Sequence, residues 1–323
     1  MAQLIYRKPY GKSFTYRYPG GRTVKNASLK RWITSLAIPP AWTDVEITTD
    51  RDAKVLVTGR DDSARKQYIY NPQWAKQAAE RKFQRILRFS QQLETMRRVT
   101  GQHIKQRPVD REVVLGCMVR MMDEAFFRPG SRRYTDENES HGLTTLRNRH
   151  MKDEGDGYVF EYQGKSGKEQ RRIIEDEAVC SVLGELEDMT GYELFDVTLP
   201  DGDRHKFTAS ELNEYIADIM GEDFTSKDFR TWAGTLLMAV ALAEAGPQSD
   251  EKMTTAEVVK AVKAVASRLG NTPAICRESY IHPLVIRAYQ EGRTIRNIHK
   301  QLDSQPEEFL SPEEKATMAL LSG

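Results

Sequence analysis

The chain has 323 residues and a formal net charge of +1, with 39% apolar and 29% charged residues, an ordinary composition for a globular protein of one large or two moderate domains. The longest apolar run, from Leu236 to Ala243, is too short to cross a bilayer, and the first residues lack the apolar stretch of a secretory signal, so we expect a cytoplasmic or nuclear protein. Three widely spaced cysteines without a Cys-x-x-Cys pair, and six histidines without a His-Glu-x-x-His motif, argue against a disulfide framework and a zinc site.

The N-terminal part of the chain is predicted to form a small domain of short β-strands. Its candidate strands are rich in β-branched and aromatic residues and read YGKSFTYRYPGGRTV, VEITTD, AKVLVTG and KQYIY. This part is also basic, because residues 1–100 hold 20 Lys and Arg against 8 Asp and Glu, a net charge of +12, whereas residues 101–323 carry −11. A basic surface favours a polyanionic partner, although charge alone is equally consistent with a basic face that has none.

The pattern changes to that of a helix at Pro72, after which apolar residues recur every three or four positions up to residue 93. A polar stretch, TGQHIKQRP, is predicted to separate this helical region from the next one. The rest of the chain is predicted to be mainly helical. Its last helix is expected to begin with Ser311 as the N-cap, Pro312 in the first turn and Glu314 completing a capping box.

Residues 163–168, QGKSGK, end like a phosphate-binding P-loop and therefore raise the question of a nucleotide site. The first glycine of that motif is missing, because Val159 occupies its position. The flanking segments YVFEYQ and EQRRIIED both allow an alternation of two faces, which is typical of a β-hairpin. We therefore predict a hairpin with Lys165 at its tip and no bound nucleotide.

Four further motifs accompany Lys165 along the chain: FFRPG with Arg128, ENESHGLTTL, SKDFRTWAG with Arg230, and LGNTPAICRESYIHP with Asn271 and Tyr280. In this order and spacing they resemble the type IB DNA topoisomerases, most closely the bacterial branch related to the poxvirus enzyme. The resemblance extends over nearly the whole chain and includes LAIPPAWTDVEI and GRDDSARKQYIYNP. It implies an enzyme that acts on double-stranded DNA.

The resemblance also implies an α+β fold of two domains that clamp duplex DNA, with the protein acting as a monomer. A small β-rich DNA-binding domain is expected over residues 1–77, and a larger, mainly α catalytic domain with a small β-sheet over residues 78–323. The implied activity is relaxation of supercoiled DNA through single-strand cleavage, a 3′-phosphotyrosyl intermediate and religation. We expect no ATP, metal ion or other cofactor, no membrane contact, and a bacterial location at the nucleoid.

Five residues receive catalytic roles from the resemblance. Tyr280 matches the nucleophile, and Arg128, Lys165 and Arg230 match the catalytic cations. Asn271 stands where the viral members have histidine, and its amide can donate a hydrogen bond to a phosphate oxygen but brings no charge. These residue types suit the chemistry, because arginines match the charge of a phosphate under attack and a lysine can protonate the departing 5′ oxygen.

Gln67, Tyr68 and Tyr70 match positions that the viral relatives use for DNA contact. Alternation places Tyr68 and Tyr70 on one face of a strand, where they can meet DNA. Arg65 and Lys66 beside them are candidate contacts to phosphates, which carry no sequence information. The alternative for the two tyrosines is an ordinary packed aromatic face.

Two other functions remain open from the sequence. A tyrosine recombinase or integrase shares the arginine, lysine and tyrosine chemistry but exchanges strands between duplexes. A catalytically inactive DNA-binding protein would keep the fold without the reaction. The segments KDFRTWAG, LGNTPA and IPPAW favour the topoisomerase over the recombinase.

Overall fold

The computed structural model describes residues 3–189, 191–221, 224–299 and 309–323. The chain forms two compact units, Met1–Lys82 and Phe83–Gly323. The break between them lies inside a helix, Pro72–Gln91. The domain boundary expected after residue 77 falls inside the same helix and stays a prediction.

Among its described residues, the first unit contains five strands: β1 (Leu4–Tyr10), β2 (Ser13–Arg17), β3 (Thr43–Thr48), β4 (Val55–Arg60) and β5 (Lys66–Tyr70). They form one antiparallel sheet in the order β2-β1-β3-β4-β5. Strands predicted in VEITTD, AKVLVTG and KQYIY are confirmed, and β2 lies within the predicted YGKSFTYRYPGGRTV. β1 is an addition to these predictions.

The first unit also contains a helix, α1 (Ala27–Ser35), which the strand-rich prediction missed. Asn26 begins it, because its Oδ1 accepts a hydrogen bond from the backbone N–H of Leu29 at 2.9 Å. Ile33 is buried in one core cluster with Ile47 of β3, so the helix covers one face of the sheet. The signal in the sequence is an asparagine cap followed by apolar residues at helical spacing.

The second unit is mainly helical. Within the described ranges its helices are α2 (Pro72–Gln91, which begins in the first unit), α3 (Leu93–His103), α4 (Arg111–Ala125), α5 (Arg132–Asn138), α6 (Glu177–Met189), α7 (Ala209–Met220), α8 (Ser226–Ala245), α9 (Glu251–Leu269), α10 (Pro273–Ser279), α11 (Pro283–Gln290), α12 (Ile295–His299) and α13 (Pro312–Ser322). No helix in the described parts of the chain is both long and apolar enough to cross a membrane.

Two small sheets accompany these helices in the second unit. One is an antiparallel sheet of β6 (Met151–Asp153), β7 (Tyr158–Gln163) and β8 (Glu169–Ile174), and the other pairs β9 (Asp196–Thr198) with β10 (Arg204–Lys206). The predicted α+β class, with a β-rich N-terminal part and a mainly helical C-terminal part that carries a small sheet, is confirmed.

Helix α4 forms the centre of the core of the second unit. Asp110 caps it by accepting hydrogen bonds from the backbone N–H groups of Glu112 and Val113, both at 3.0 Å. Most of its side chains are buried, as expected of a helix that neighbouring elements surround. It ends at Phe126, whose left-handed φ of 59° turns the chain into the loop that carries Arg128.

The break predicted at TGQHIKQRP is wrong in its first residues, because α3 continues to His103. Thr100 is fully buried, and its Oγ1 donates to the carbonyl of Met96 at 2.8 Å. Nδ1 of His103 lies 2.8 Å from the hydroxyl of Tyr215. The polar residues therefore find partners inside the fold and do not interrupt the helix.

Helix α13 begins as predicted. The backbone N–H of Ser311 donates to the carboxylate of Glu314 at 2.9 Å, and the backbone N–H of Glu314 donates to the hydroxyl of Ser311 at 3.2 Å. This reciprocal pair is the capping box, with Pro312 in the first turn. All residues of this capping box lie within four positions of the sequence, so the start of α13 could be predicted without knowledge of the fold.

Candidate active site

Lys165 lies at the turn of the predicted hairpin, which is confirmed. β7 and β8 pair antiparallel along their whole length. The turn reverses at Ser166 and Gly167, whose φ angles of 65° and 70° lie in the left-handed region. Lys165 is exposed at this tip, so its side chain is accessible to a bound ligand.

Arg128 lies in the loop after α4, which a close crossing of two glycines holds in place. The backbone N–H of Leu143 donates to the carbonyl of Arg128 at 2.8 Å. At the crossing, a Cβ on Gly142 would lie 2.6 Å from the backbone nitrogen of Gly130, closer than real contacts allow. The glycines of FFRPG and ENESHGLTTL therefore fix the backbone that carries Arg128.

Arg230 lies near the start of α8 and is only 3% exposed. Its Nη1 donates to the carbonyl of Phe126 at 2.6 Å, and its Nη2 donates to the carbonyl of Leu269 at 2.7 Å. The guanidinium therefore bridges the ends of α4 and α9. Both partners are neutral, so the positive charge is not cancelled by them.

Three consecutive carbonyls at the end of α9 each accept a hydrogen bond from a different arginine. The pairs are Arg172 Nη1 with Arg268 at 2.6 Å, Arg230 Nη2 with Leu269 at 2.7 Å, and Arg128 Nη2 with Gly270 at 3.3 Å. Carbonyls at a helix C-terminus have no partner within the helix and carry the negative end of its dipole. They can hold cations together and leave the net charge of the cluster positive.

Arg172 and its neighbour Gln170 are site residues that the sequence predictions missed. Their side chains are 8% and 6% exposed, on the buried face of β8. Nη2 of Arg172 donates to Oε1 of Gln170 at 2.7 Å. The signal was the possible alternation in EQRRIIED, which puts Gln170, Arg172 and Ile174 on one face.

Asn271, which follows the end of α9, accepts from both predicted catalytic arginines. Its Oδ1 is hydrogen-bonded to Nη2 of Arg128 and lies 3.4 Å from Nη2 of Arg230. These bonds leave the amide nitrogen as the available donor. Nδ2 of Asn271 and Nε of Arg230 are buried, and neither has a hydrogen-bond partner within the part of the chain that the structure describes.

Tyr280 ends α10 and packs against α8. The guanidinium carbon of Arg230 lies 5.3 Å from the centroid of the Tyr280 ring. One turn further along α8, a Cβ on Gly234 would lie 2.6 Å from the carbonyl oxygen of Tyr280. Oγ1 of Thr235 donates to that same carbonyl at 3.3 Å. Helix α8 therefore supplies a cation next to the Tyr280 ring and also contacts the Tyr280 backbone.

The electrostatics of the cluster are those of crowded positive charge. The pKa of Arg230 falls to about 10, chiefly because the guanidinium is buried and also because Arg128 is a like charge; Tyr280 acts in the opposite direction. Arg230 therefore remains protonated at neutral pH. Arg128 and Arg230 also line one small cleft with Gly164, the neighbour of Lys165. The lining of this cleft therefore carries a net positive charge.

Two known family models match the chain. A family model described as "Eukaryotic DNA topoisomerase I, catalytic core" matches residues 65–309, and one described as "Bacterial DNA topoisomerase IB, N-terminal domain" matches residues 13–61. The chain belongs to the type IB DNA topoisomerases. The resemblance inferred from the motifs is confirmed, and this topoisomerase is accordingly an isomerase. Membership of the family favours this function over that of a recombinase.

Relatives of this topoisomerase include viral proteins. The DNA topoisomerase 1B of Acanthamoeba polyphaga mimivirus is 29% identical over 95% of this chain and 93% of the viral protein. The DNA topoisomerase 1B of Vaccinia virus (strain Copenhagen) and the DNA topoisomerase I of Monkeypox virus are each 22% identical over 85% of this chain and 85% of theirs. The match to the bacterial N-terminal domain supports the bacterial branch.

The predicted DNA-contact residues of the topoisomerase lie on and beside β5, in the first unit. Tyr68 and Tyr70 are 44% and 42% exposed, and their rings stack with centroids 6.0 Å apart. Trp74, which sequence reasoning missed, stacks on Tyr70 at 5.5 Å. Nζ of Lys66 lies 5.7 Å from the centroid of the Tyr68 ring. The rings therefore form an exposed aromatic row with a lysine beside it.

Arg65 and Gln67 are oriented by one carboxylate. Oδ2 of Asp61 accepts from Nε of Arg65 at 2.9 Å and from Nε2 of Gln67 at 2.8 Å. The Arg65 side chain remains more than half exposed in this ion pair.

Within the described ranges, no group of three or more His, Cys, Asp and Glu side chains is arranged to hold a metal ion.

Proposed function

We propose that this topoisomerase relaxes supercoiled duplex DNA by cutting and resealing one strand, without ATP or a metal ion. The observation that carries the proposal is that Arg230 Nε and Asn271 Nδ2, in the cluster that contacts Tyr280, are buried donors with no partner among the described residues. A buried donor without a partner costs about 1 to 3 kcal/mol. Such donors favour a ligand with acceptor oxygens, and a phosphodiester supplies them.

Tyr280 is proposed as the nucleophile. Its phenol oxygen attacks the phosphorus, the bond from phosphorus to the 5′ oxygen breaks, and the phenol proton leaves to solvent. The products are a 3′-phosphotyrosyl link and a 5′ hydroxyl. The nearby Arg230 guanidinium favours this step, because a positive charge stabilises the developing phenolate.

Arg128 and Arg230 are proposed to stabilise the transition state. Negative charge builds up on the nonbridging oxygens, and a guanidinium can donate to two of them through its planar fork. The hydrogen bonds of the two arginines to Phe126, Leu269, Gly270 and Asn271 all go to neutral carbonyl or amide oxygens, so their charge stays available to the phosphate. Donors that are fixed before the reaction need no reorganisation during it.

Asn271 is proposed to complete the donor set. Its Oδ1 is engaged by the arginines, so its Nδ2 can donate to a nonbridging oxygen. The histidine of the viral members would bring a ring donor at this position, whereas the amide donates without a titrating charge.

Lys165 is proposed as the general acid. The 5′ oxygen leaves more easily when it receives a proton, and an ammonium at an exposed hairpin tip can deliver one. In religation the neutral lysine takes a proton back from the attacking 5′ hydroxyl. Gly164 lines the same cleft as Arg128, which supports a position of the hairpin turn close to the phosphate.

The phosphotyrosyl link explains why ATP is not required. The energy of the broken phosphodiester is kept in the new ester, so the 5′ hydroxyl can reverse the reaction after the strand has rotated. We further propose that the segment from Arg65 to Tyr70 contacts duplex DNA. In this proposal the domains 1–77 and 78–323 close around the duplex as the clamp of a monomer.

The proposal is tested by plasmid relaxation in EDTA without nucleotide, with wild type, Tyr280→Phe and the control Tyr192→Phe, which removes the hydroxyl of an exposed tyrosine. Denatured samples are examined for covalently bound DNA. We expect relaxation and an adduct from wild type and the control, and neither from Tyr280→Phe. A wild-type protein that binds DNA but neither relaxes it nor forms an adduct would instead be a recombinase that lacks its target site or an inactive DNA-binding protein. Wild-type activity that requires a metal ion or ATP contradicts the cofactor-free cycle.

A further inference from the structure

The hairpin that carries Lys165 is attached to the end of α9 through Arg172. Nη1 of Arg172 donates to the carbonyl of Arg268 at 2.6 Å, and Nη2 donates to Gln170 at 2.7 Å. The side chain is 8% exposed, and the Tyr162 hydroxyl across the hairpin also interacts with the guanidinium. Arg172 is therefore a buried cation that joins a strand of the hairpin to the helix end that holds Arg128 and Arg230.

Gln170 continues this connection from Arg172 to the turn. Its Nε2 donates to the carbonyl of Glu169 at 2.9 Å and lies 3.3 Å from the carbonyl of Lys168. A Cβ on Gly164 would lie 2.8 Å from Cγ of Gln170, so the turn lies directly on this side chain. On its other side, a Cβ on Gly270 would lie 2.9 Å from Nε2 of Gln170. Gln170 thus fills the space between the turn and the end of α9.

Burying an arginine costs desolvation free energy, so the interactions that keep Arg172 buried must offset that cost. The hydrogen bonds from Arg172 to Arg268 and Gln170 go to neutral oxygens. The charged side chains of Arg128 and Arg268 are both close enough to repel the Arg172 guanidinium. A carboxylate at this position would hold Arg172 more strongly, but it would also weaken the positive field on a phosphate. A helix C-terminus holds the cation with little cost to that field.

We propose that Arg172 is a positioning residue for Lys165: it fixes the hairpin to the first of the three carbonyls at the end of α9, whose next two hold Arg230 and Arg128, and so sets the distance between the acid and the phosphate. This inference rests on the general-acid role proposed for Lys165. It assigns no contact with DNA to Arg172, which acts through the hairpin.

The test is single-turnover cleavage by Arg172→Met on two duplexes, one with the natural 5′ bridging oxygen and one with sulfur in its place. Sulfur is a leaving group that needs little help from an acid. Misplacement of a catalytic group by about 1 Å costs on the order of 100-fold, so we expect a loss of that order with oxygen and a few-fold loss with sulfur. The matched control is Arg171→Met, on the exposed face of the same strand, which should change neither rate appreciably.

A double variant separates positioning from an independent effect. Lys165→Ala should itself be slow with oxygen and be rescued by sulfur, and adding Arg172→Met should slow it little further, because both changes remove the same function. Losses that multiply in the double variant, or an Arg172→Met defect that sulfur does not relieve, would overturn the inference. If Lys165→Ala is not rescued by sulfur, the general-acid proposal fails first and the inference falls with it.

As a control for correct folding, thermal unfolding and noncovalent DNA binding are measured for each variant. If Arg172→Met does not fold, Arg172→Lys carries the test, because it keeps the charge but lacks the planar fork whose two nitrogens donate separately to Arg268 and Gln170. We expect Arg172→Lys to fold and to show the same selective loss with the oxygen substrate. A wild-type rate for Arg172→Lys would show that charge alone suffices and that the bridge does not position Lys165.

Discussion

The guanidinium carbon of Arg230 lies 5.3 Å from the centroid of the Tyr280 ring, and the helix that carries this arginine also supports the backbone of the tyrosine. Arg230 and Gly234 are four residues apart on α8, so they lie on one face of the helix. The position of the proposed nucleophile relative to its cation is therefore set by one rigid element.

Gly234→Ala is predicted to disturb cleavage more than folding. Its Cβ would lie 2.6 Å from the carbonyl oxygen and 2.9 Å from the Cβ of Tyr280, so the tyrosine segment must move away from Arg230. A shift of about 1 Å is expected to slow single-turnover cleavage on the order of 100-fold while DNA binding persists. The control is Gly101→Ala, where no atom lies within 4 Å of the added Cβ.

Gly101→Ala should keep the wild-type cleavage rate and raise stability by up to about 1 kcal/mol, because alanine favours a helix. A Gly234→Ala enzyme that cleaves at the wild-type rate would show that the contact with Tyr280 relaxes at no cost. Both substitutions replace a helical glycine with alanine, but only the Cβ at position 234 would clash with Tyr280. A cleavage defect seen in Gly234→Ala alone therefore cannot come from helix propensity.

Asn271 is predicted to tolerate alanine better than aspartate. Aspartate keeps the shape and the acceptor for Arg128, but it replaces the Nδ2 donor with a negative charge in the proposed phosphate site. Removing one donor from such a site costs roughly 100-fold or more, and the added charge opposes the phosphate as well. Single-turnover rates should therefore fall in the order wild type, Asn271→Ala, Asn271→Asp.

Thermal unfolding provides the control for this series. Asn271→Asp adds a charge partner for Arg128 and Arg230, so it should not unfold at a lower temperature than Asn271→Ala. A faster rate for the aspartate variant than for the alanine variant would mean that Asn271 serves to orient the arginines and makes no contact with the phosphate.

The parts of this protein that sequence could predict are those with local signals. The hairpin of Lys165 follows from alternation around a glycine turn, and the start of α13 follows from a capping box within four residues. The order and spacing of the motifs predicted that Arg128, Arg230 and Tyr280 belong to one site. In the structure, both arginines donate to carbonyls at the end of α9, and Arg230 on α8 lies beside the Tyr280 ring.

The rest depends on contacts between residues far apart in sequence. Alternation allowed Arg172 to face inward, but only the fold shows that its partner is a carbonyl 96 residues away. The glycine in TWAG gave no sign that Tyr280 would lie against it. Helix α1 is short and lies among strands, so its propensity signal was weak and its burial on the sheet decided its structure.

Tyr70→Ala is predicted to weaken noncovalent binding to duplex DNA without unfolding the first unit. The ring is 42% exposed and stacks on Tyr68 and Trp74, so its loss removes a contact surface and little core. We expect roughly a tenfold rise in Kd, equivalent to about 1.4 kcal/mol. The control Tyr10→Ala removes a ring that is 73% exposed on another strand. Equal effects of the two substitutions would argue against a specific contact at Tyr70.

The pair His141 and His150 is predicted to make the second unit less stable in acid. The rings lie 4.6 Å apart, and the pKa of His150 is lowered to about 4 from an ordinary 6.5, chiefly by burial and also by His141, Arg149 and Arg147. Burial lowers the pKa of His141 as well. The unfolded chain therefore binds protons that the folded chain does not, and stability is lost as the pH falls from 6.5 towards 4.

The loss due to His150 should reach about 2 kcal/mol near pH 5 relative to neutral pH. The measurement is urea unfolding of wild type and His150→Gln at both pH values. Carboxylates that titrate in the same range affect both proteins alike, so the difference between the two proteins reports His150 together with its effect on His141. At neutral pH the variant should be the less stable, since a flexible amide replaces the ring that packs against His141 and accepts from the backbone N–H of Arg147. That deficit should shrink in acid, and a deficit that stays constant across this range would show that His150 titrates alike in both states.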